Sequence, residues 1–363
     1  MTGRQPDSGI PVAPPAGAAR RPRRLGWPWR VAVHGTVYGA VVCLALLTIL
    51  RAGGWETALP PLLAVTPYAS TPLLLAATPY VGILIGACAI AALAARMRGA
   101  AVVTVVLLTA HLAWFAPRIS AEPQPGDVWP AARVRVMTAN LYADRIAPDE
   151  LVAAVGAELP DVLALQEAPP EVLAGADRAG LRSLLPYRIS RAGRPGHGGA
   201  IYSRRPLRDA GDPLASLGRG LGNPRATLDL AGQVLTVQSV HTNPPMPLGI
   251  GPWQQDLRVL GRVAARTPGP LVAMGDYNAS SDHRSFRALL GAGGLRDADD
   301  ARGRGLVRTW PTDRGWRLPA FAQLDHVLVS RHLAVLGVHE RTLPGTDHRA
   351  VIADLTLSGN HQS

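Results

Sequence analysis

The sequence predicts an α/β domain built as a two-sheet sandwich and preceded by three membrane-spanning helices. Three uncharged, apolar runs fill most of residues 31–116, and a helix of about 20 residues is long enough to cross a bilayer core of about 30 Å. From residue 133 onward the pattern changes to short apolar segments separated by polar turns, with segments of helical periodicity between them. This alternation of strands and helices is typical of one α/β sandwich domain, which we place at residues 133–363.

The N-terminal third has the pattern of a multi-pass membrane protein. The predicted helices of a membrane domain at residues 31–117 occupy, in order, residues 31–50, 73–95 and 100–116. The first run is too long for the apolar core of a cleaved signal peptide, and more apolar sequence follows it, so we interpret it as a retained helix. Residues 57–72 contain four prolines and leave open whether this stretch inserts into the bilayer.

Arginines around these helices predict their orientation. Residues 1–30 are rich in Pro, Gly and Arg without apolar periodicity, which predicts a disordered basic tail. Arg96 and Arg98 lie in the turn between the second and third predicted helices. The positive-inside rule puts the tail and this turn in the cytoplasm, so the domain becomes extracytoplasmic at the cell membrane. Splitting residues 57–95 into two spans is the alternative, and it is less favoured because it puts these arginines outside.

The segment at residues 118–132 is a Pro-rich linker that keeps the predicted domain near the bilayer. Fifteen residues reach at most about 50 Å when fully extended. The net charge of +11 is concentrated before this linker: residues 1–118 hold 10 arginines and two acids, whereas residues 119–363 hold 27 arginines and 24 acids. Nucleic acid is therefore a disfavoured partner, because duplex binding depends on phosphate neutralisation. Only two cysteines occur, both in apolar runs, which excludes a disulfide framework and a cysteine-based metal site.

Polar side chains repeatedly stand at or next to the ends of the predicted strands. In chain order they are Asn140, Gln166, Glu167, His241, Asp276, Asn278, Asp325, Asp347 and His348. Strand ends at one edge of a sheet converge, and functional sites form there. Carboxylate and amide oxygens suit Mg²⁺, and carboxylates together with two histidines suit the cleavage of phosphate esters. Each of these residues alone fits an ordinary turn or a solvated loop, but the ordered set does not.

The ordered motifs TAN, LQE, SVHTN, GDYN, LDHV and TDH resemble the endonuclease/exonuclease/phosphatase superfamily over residues 133–357. The resemblance implies a deoxyribonuclease I-like sandwich and a hydrolase that requires Mg²⁺ or Mn²⁺. In the implied metal site, Glu167 is the principal ligand, while Asn140 and Asp347 supply further metal contacts. The alternative role of Asn140 is contact with the phosphate. The alternative role of Asp347 is contact with the catalytic residue His348.

The same resemblance implies five catalytic residues. Asp276 would orient or deprotonate the attacking water, and Asn278 would hydrogen-bond the phosphoryl oxygens. His348 would stabilise the charge that develops on the phosphate, with its ring held by Asp325. His241 would touch the phosphate or the leaving group. The remaining histidines, among them His197, His283 and His326, match no motif position and are interpreted as surface or structural residues.

The helices ahead of the domain resemble the architecture of VanJ-type teicoplanin-resistance phosphatases of actinobacteria. The preferred hypothesis is therefore a membrane-anchored hydrolase of a phosphoric ester or pyrophosphate, with lipid-linked phosphate, such as a polyprenyl pyrophosphate, as substrate and membrane lipids as partners. A membrane-tethered nuclease or general phosphodiesterase is the alternative. A non-catalytic membrane sensor is disfavoured, because no expected catalytic position is substituted. The sequence leaves the oligomeric state and the number of metal ions open.

Overall fold

A computed structural model of the chain describes residues 27–57, 71–123, 132–143, 145–193, 196–245, 249–312 and 319–358. The predicted basic tail up to residue 26, the Pro-rich stretch 58–70 and linker residues 124–131 lie outside these ranges. The helices of the N-terminal part are α1 (Trp27–Gly53), α2 (Thr71–Ala76), α3 (Thr78–Ala94) and α4 (Arg98–Phe115), and a 3₁₀ turn at Ala116–Ile119 extends α4.

The described residues contain two helices that are long and apolar enough to cross a membrane, Val31–Gly53 and Arg98–Ile119. The predicted second span, residues 73–95, is not one continuous helix, because the chain breaks at Ala77 between α2 and α3. Pro79 explains the break, since its ring would clash with the carbonyl four residues earlier if one helix ran through. It lies instead in the first turn of α3. With 17 residues, α3 is about 25 Å long and shorter than a full span.

Helices α1, α3 and α4 pack against one another in alternating directions. In the first half of α1, Val37 and Val41 lie in one buried cluster with Met97 from the turn between α3 and α4. Farther along α1, Leu44 packs with Val81 near the start of α3. The end of α1, the start of α3 and the end of α4 therefore lie on one side of this helical part, and the α3–α4 turn lies on the other.

The sandwich domain consists of two six-stranded mixed sheets. Its first sheet has the order β11-β12-β1-β2-β4-β3, formed by β1 (Arg133–Asn140), β2 (Val162–Gln166), β3 (Tyr187–Arg191), β4 (Gly199–Ser203), β11 (Leu333–Thr342) and β12 (Arg349–Leu357). The second has the order β5-β6-β7-β8-β10-β9, formed by β5 (Arg208–Asp209), β6 (Arg225–Leu230), β7 (Gln233–His241), β8 (Leu271–Asp276), β9 (Leu295–Asp297) and β10 (Asp325–Ser330). The predicted two-sheet α/β sandwich is confirmed, whereas the described residues contain two long apolar helices where three spans were predicted.

The inner faces of the two sheets share one apolar core, to which Val136 of β1 and Val237 of β7 both belong. Helices cover the outer faces. The helices on the first sheet are α5 (Pro148–Glu158), α6 (Pro170–Arg178) and α7 (Leu181–Leu184). The second sheet is covered by α8 (Ile250–Ala265) and α9 (Arg284–Gly293), and the short α10 (Ala298–Ala301) follows β9. Both sheets are thus buried on two sides, which explains why their central strands are almost continuously apolar.

Candidate active site

Strand pairing brings the predicted site residues to one edge of the sandwich. Strands β1 and β2 run parallel, with Asn140 opposite Gln166 at their ends. Strands β7 and β8 are also parallel and end with His241 opposite Asp276. Strand β10 runs antiparallel to β8, so its first residue, Asp325, is also paired with Asp276. Because β12 is antiparallel to β1, residues 347 and 348, just before β12, reach the same edge.

Inward-facing residues change from apolar to polar as the strands approach this edge. In β1 the series of alternate residues is Val134, Val136, Thr138 and Asn140. The same change occurs in β7, which runs from Leu235 and Val237 to Ser239 and His241, and in β8, where Asp276 follows Val272 and Met274. Since alternate residues of a strand share one face, the gap between the two sheets is apolar in the middle and polar at the site.

The backbone around the site adopts conformations that few residues tolerate. Glu167 and Asn278 have φ values of +50° and +47°, in the left-handed region where non-glycine residues are uncommon. Gly275 precedes Asp276 and has φ +149°, and a Cβ at this position would lie 1.9 Å from the carbonyl oxygen of Val240. This glycine therefore permits the close approach of β8 to β7 next to Asp276.

Asn140 joins two carboxylates at the centre of the site. Its Nδ2 donates to Oε1 of Glu167 at 3.1 Å and to Oδ2 of Asp276 at 3.0 Å. Its Oδ1 accepts the backbone N–H of Tyr142 at 2.9 Å, and this bond fixes which end of the amide faces the carboxylates. Asn140 thus presents its nitrogen to both carboxylates. This orientation favours contact with acidic groups or phosphate oxygens over direct ligation of a metal.

Each ring nitrogen of His348 faces a carboxylate. Nδ1 is 2.8 Å from Oδ2 of Asp325, and Nε2 is 3.8 Å from Oδ2 of Asp276. Burial alone would lower the pKa of His348, but Asp325 and Asp276 outweigh burial and raise that pKa to about 10. Burial raises the pKa of Asp276, and the His348 imidazolium offsets part of that rise. The site therefore combines a positively charged His348 ring with the Asp276 carboxylate, which accepts a proton more readily than an ordinary aspartate.

His241 is a neutral group in this site. Burial, followed by the positive charge of His348, lowers the pKa of His241 to about 3. Its Nε2 lies 3.9 Å from Glu167 and 4.0 Å from Asp276, and with a neutral ring these are contacts and not ion pairs. The backbone N–H of His241 donates to Oδ1 of Asn223 at 2.6 Å, which helps to hold the end of β7.

The last two predicted residues lie at the margin of the same cluster. Asn278 donates from Nδ2 to the carbonyl of Thr242 at 3.0 Å, and its backbone N–H donates to Oδ1 of Asp276 at 2.8 Å. Oδ1 of Asp347 lies 3.8 Å from Nε2 of His348, and its Oδ2 accepts the indole N–H of Trp310 at 3.0 Å. All eight predicted site residues therefore lie in one connected group.

A cavity of about 480 Å³ opens over this cluster. Several of its lining residues had no motif to indicate them, namely Pro72, Leu73, Ala76, Tyr142, His197, His283 and Trp310. Asn243 had a local signal, since it lies in the SVHTN motif, and its amide is held by the buried carboxylate of Asp256 at 2.6 Å. Residues 72–76 belong to α2 of the N-terminal part, which no pattern in the sandwich domain could reveal.

The donor set fits a hard divalent cation. Glu167 and Asp276 direct oxygens to one amide nitrogen and line the same cavity, an arrangement in which a cation would relieve the repulsion between the carboxylates. Asp276, Asp325 and His348 also offer ligand atoms within 4.8 Å of one another. Because Nδ1 of His348 is already bound by Asp325, this trio is better suited to holding a charged imidazole than to surrounding an ion.

A family sequence profile and several solved structures match the chain. The sequence profile of the Endonuclease/Exonuclease/phosphatase family matches residues 137–348, more than half of the chain. The structure of TDP2 from D. rerio with a single-strand DNA product has a TM-score of 0.52 at 14% identity and covers 62% of this chain and 99% of its own. An AP endonuclease from Archaeoglobus fulgidus has a TM-score of 0.52 at 16% identity and covers 61% and 98%.

These identities show a shared fold and no more. A comparison with curated proteins finds no match, so the resemblance to VanJ-type phosphatases stays a prediction. The matched residues run from β1 to His348 and so include every residue of the cluster. This chain is therefore a member of the endonuclease/exonuclease/phosphatase family.

Proposed function

We propose that the chain is a membrane-anchored, Mg²⁺-dependent hydrolase that cleaves a phosphoric ester or pyrophosphate of a membrane lipid at the outer face of the bilayer. Members of its family hydrolyse phosphoric esters and typically depend on divalent metals. The finer proposal depends on one observation. The cavity over the acidic cluster has a second, apolar wall, formed by Pro72, Leu73 and Ala76 of α2.

This apolar wall is continuous with the membrane part of the chain. Helix α2 lies directly before α3, which packs between the two candidate membrane spans. Leu221 and Leu324 of the sandwich domain add apolar surface to the same cavity. A substrate that fits both walls has a phosphate at one end and an apolar segment next to it. A lipid-linked phosphate has this composition, and a free sugar phosphate does not.

The site residues support an attack of water on phosphorus. Asp276 would accept a proton from the attacking water, and its raised pKa suits that role. The Nε2 proton of His348 would face the phosphoryl oxygens and stabilise their growing charge, while Asp325 keeps the ring in place. Asn140 and Asn278 would bind the phosphoryl oxygens. The bond from phosphorus to the leaving oxygen then breaks, the leaving group keeps the electron pair of that bond and takes up a proton from solvent, and the phosphate keeps the oxygen of water.

Glu167 would be the principal metal ligand in this scheme, and Asp347 would supply a further contact. Asp276, the proposed base, lies beside Glu167. Mg²⁺ or Mn²⁺ bound there would supply positive charge to the phosphate and the leaving oxygen. The side chain of Glu167 is 17% exposed and therefore reachable from the cavity. Asn140 would hold this carboxylate through its amide nitrogen.

The arrangement of the helices is consistent with an external site. The sandwich domain contacts Arg51 at the end of α1, Pro72 in α2 and Arg118 after α4, so it lies on one side of the helical part. The turn that carries Arg96 and Arg98 lies on the opposite side, which the positive-inside rule assigns to the cytoplasm.

A membrane-tethered nuclease is the second candidate. Tyr142 and Trp310 line the cavity, and aromatic side chains of this kind stack on unpaired bases. The structure of TDP2 with a DNA product shares this fold. Phosphodiester cleavage would use the same acidic cluster, so only the substrate distinguishes the two candidates.

The test compares substrates on the full-length protein in detergent micelles. We expect phosphate release from undecaprenyl pyrophosphate with Mg²⁺ or Mn²⁺, no release with EDTA, and no release by Asp276→Ala. Leu73→Ser should lower kcat/KM on the lipid by about tenfold, because it places a hydroxyl in the apolar wall, yet leave bis(p-nitrophenyl) phosphate hydrolysis unchanged. Leu74→Ser is the matched control, since Leu74 is exposed on the same helix.

Two outcomes would count against the proposal. Nicking of plasmid DNA without phosphate release from the lipid would promote the nuclease. Equal lipid turnover by Leu73→Ser and Leu74→Ser would remove the apolar wall as the basis of substrate choice.

A further inference from the structure

Residues 280–285 lie between the catalytic strand β8 and α9, whose first residues they include, and are held by the helical N-terminal part. This segment, called here the 280–285 loop, begins two residues after Asn278. Its contacts come from α1, from the residues after α1, from α2 and from the turn after α4. A loop this close to the catalytic residues is thus fixed by a part of the chain that precedes the whole domain.

A buried ion-pair cluster holds the middle of the loop. Nε of Arg51 donates to Oδ1 of Asp282 at 2.8 Å, and NH1 of Arg118 donates to Oδ2 of the same carboxylate at 3.3 Å. The side chains of Arg51 and Asp282 are only 7% and 5% exposed. The guanidinium of Arg51 also lies 4.0 Å over the ring of Trp114 in α4. Removal of one member would leave a buried charge without its partner, which is strongly unfavourable.

Glu56 caps the N-terminus of α9 from outside the domain. Its Oε1 accepts the backbone N–H of Ser285 at 2.8 Å, and its Oε2 accepts the Ser285 hydroxyl at 2.5 Å. A second side-chain donor comes from α8, where Nε2 of Gln254 donates to Oε2 of Glu56 at 2.7 Å. Glu56 is 2% exposed. The first N–H groups of a helix have no intrahelical acceptor, so a carboxylate from a distant segment here satisfies one of them.

His283 ties the loop to α2 in one defined tautomer. The backbone N–H of Ser280 donates to Nδ1 of His283 at 2.8 Å, so that nitrogen carries no proton. Nε2 therefore carries the proton and donates to the carbonyl of Pro72 at 2.8 Å. The ring packs edge-on against Trp253, with centroids 5.2 Å apart. The same α2 residue lines the cavity, so this bond fixes both the loop and the apolar wall.

Helix α9 transmits this support to the catalytic residues. Phe286 follows Ser285 and packs edge-on against Tyr277, the residue between Asp276 and Asn278, with centroids 5.5 Å apart. Its ring also lies 4.4 Å from that of His326, the neighbour of Asp325. Phe286 is fully buried. A shift of α9 would therefore displace Tyr277 and His326, which are adjacent to the catalytic residues Asp276, Asn278 and Asp325.

We propose that Glu56 and Arg51 are positioning residues for the hydrolase, through which the membrane helices hold Asp276, Asn278 and Asp325 in working geometry. The inference rests on the proposed hydrolase activity and adds a second role for the N-terminal part besides anchoring and substrate presentation. It requires that loss of Glu56 impairs even a substrate without a lipid.

The experiment measures hydrolysis of water-soluble bis(p-nitrophenyl) phosphate by the full-length protein in micelles with Mg²⁺. Glu56→Ala should lower kcat by roughly tenfold to a hundredfold with KM changed less than about twofold, because a small misplacement of reacting groups has effects of this size. Glu56→Gln should recover part of the rate, since it keeps an oxygen for the Ser285 N–H. Arg51→Lys should fall between the wild type and Glu56→Ala.

Glu122→Ala is the matched control. Glu122 also precedes the domain and pairs with one of its arginines, Arg296, but it contacts neither α9 nor the 280–285 loop in the described residues. It should lower the thermal midpoint without lowering kcat. Should Glu56→Ala fail to fold, Glu56→Gln and Arg51→Lys carry the test.

Equal kcat in the wild type and these variants would overturn the inference and leave the proposed function intact. A loss of kcat in Glu122→Ala equal to that in Glu56→Ala would also overturn it, because general destabilisation would then explain both. Absence of hydrolysis by the wild type on every substrate would instead reject the proposed function.

Discussion

His348 illustrates how one side chain acquires its properties from its neighbours. Its position after a turn at Gly345 gives it no special character, and a buried histidine is ordinarily neutral. Asp325 at 2.8 Å and Asp276 at 3.8 Å reverse this and keep the ring charged at neutral pH. His241 lacks such a partner and is neutral in the same cavity, so the two histidines of the motif set are suited to different tasks.

We expect His348→Ala and Asp276→Ala each to lower kcat on the order of 10³-fold, because each removes a group that stabilises charge or accepts a proton in the transition state. Phosphate release under saturating substrate and Mg²⁺ measures the effect. His332→Ala serves as the control, since that histidine lies in the turn between β10 and β11 and lines no part of the cavity. Near-normal turnover by His348→Ala would remove the role assigned to this residue.

Among the secondary-structure elements, α5 and β11 are joined by a carboxylate that has no part in the site. Oε1 of Glu158, at the end of α5, accepts from Arg341 at 2.8 Å, and Oε2 lies 3.0 Å from Nε2 of His339. Burial opposes ionisation of Glu158, but the hydrogen bonds from Arg341 and His339 outweigh it and lower its pKa. This contact fixes the edge strand of the first sheet to the helix that covers it.

Glu158→Gln should therefore destabilise the domain in a pH-dependent way. Because the pKa of Glu158 is lower in the folded than in the unfolded state, its charge stabilises the fold at neutral pH, and this contribution is lost as the pH falls through the lowered pKa. The variant should have a lower thermal midpoint than the wild type at pH 7, and the difference should shrink below about pH 4. A constant difference across this range would contradict the assignment. Glu150→Gln, exposed in the same helix, should show none.

For the molecule as a whole, the sandwich domain lies against one side of the helical N-terminal part. The domain contacts the end of α1, the start of α2 and the turn after α4, and the α3–α4 turn points away from it.

We expect a cytoplasmic N-terminus and an external domain. Alkaline phosphatase fused after Ser363 should be active, because its disulfides form only outside the cytoplasm, and β-galactosidase fused at the same point should be inactive. The fusions are compared at equal expression. Fusions after Met97 are the control, and there alkaline phosphatase should be inactive and β-galactosidase active. The reverse pair of activities would move the domain into the cytoplasm and remove the external substrate from consideration.

The sequence by itself determined the fold class and the composition of the site. Alternation along β1, β7 and β8 is local, and each strand ends in a polar residue, so the set around Asn140, His241 and Asp276 could be predicted before any contact was known. Sequence periodicity gave a wrong prediction where the backbone conformation depends on a specific residue such as Pro79. The second span was predicted as one helix over residues 73–95, but the chain breaks at Ala77 before Pro79.

Only the tertiary structure decided how the N-terminal part meets the site. Glu56 and Ser285 are 229 residues apart and belong to segments that share no motif. Their contact therefore leaves no periodic signal in the sequence. The same holds for Pro72 beside His283 and for the apolar wall of the cavity. Periodicity reports which face of an element is buried, but not which distant segment buries it. The partner of a surface is set by the packing of the whole chain, and in this protein that packing placed α2 of the N-terminal part beside the acidic cluster.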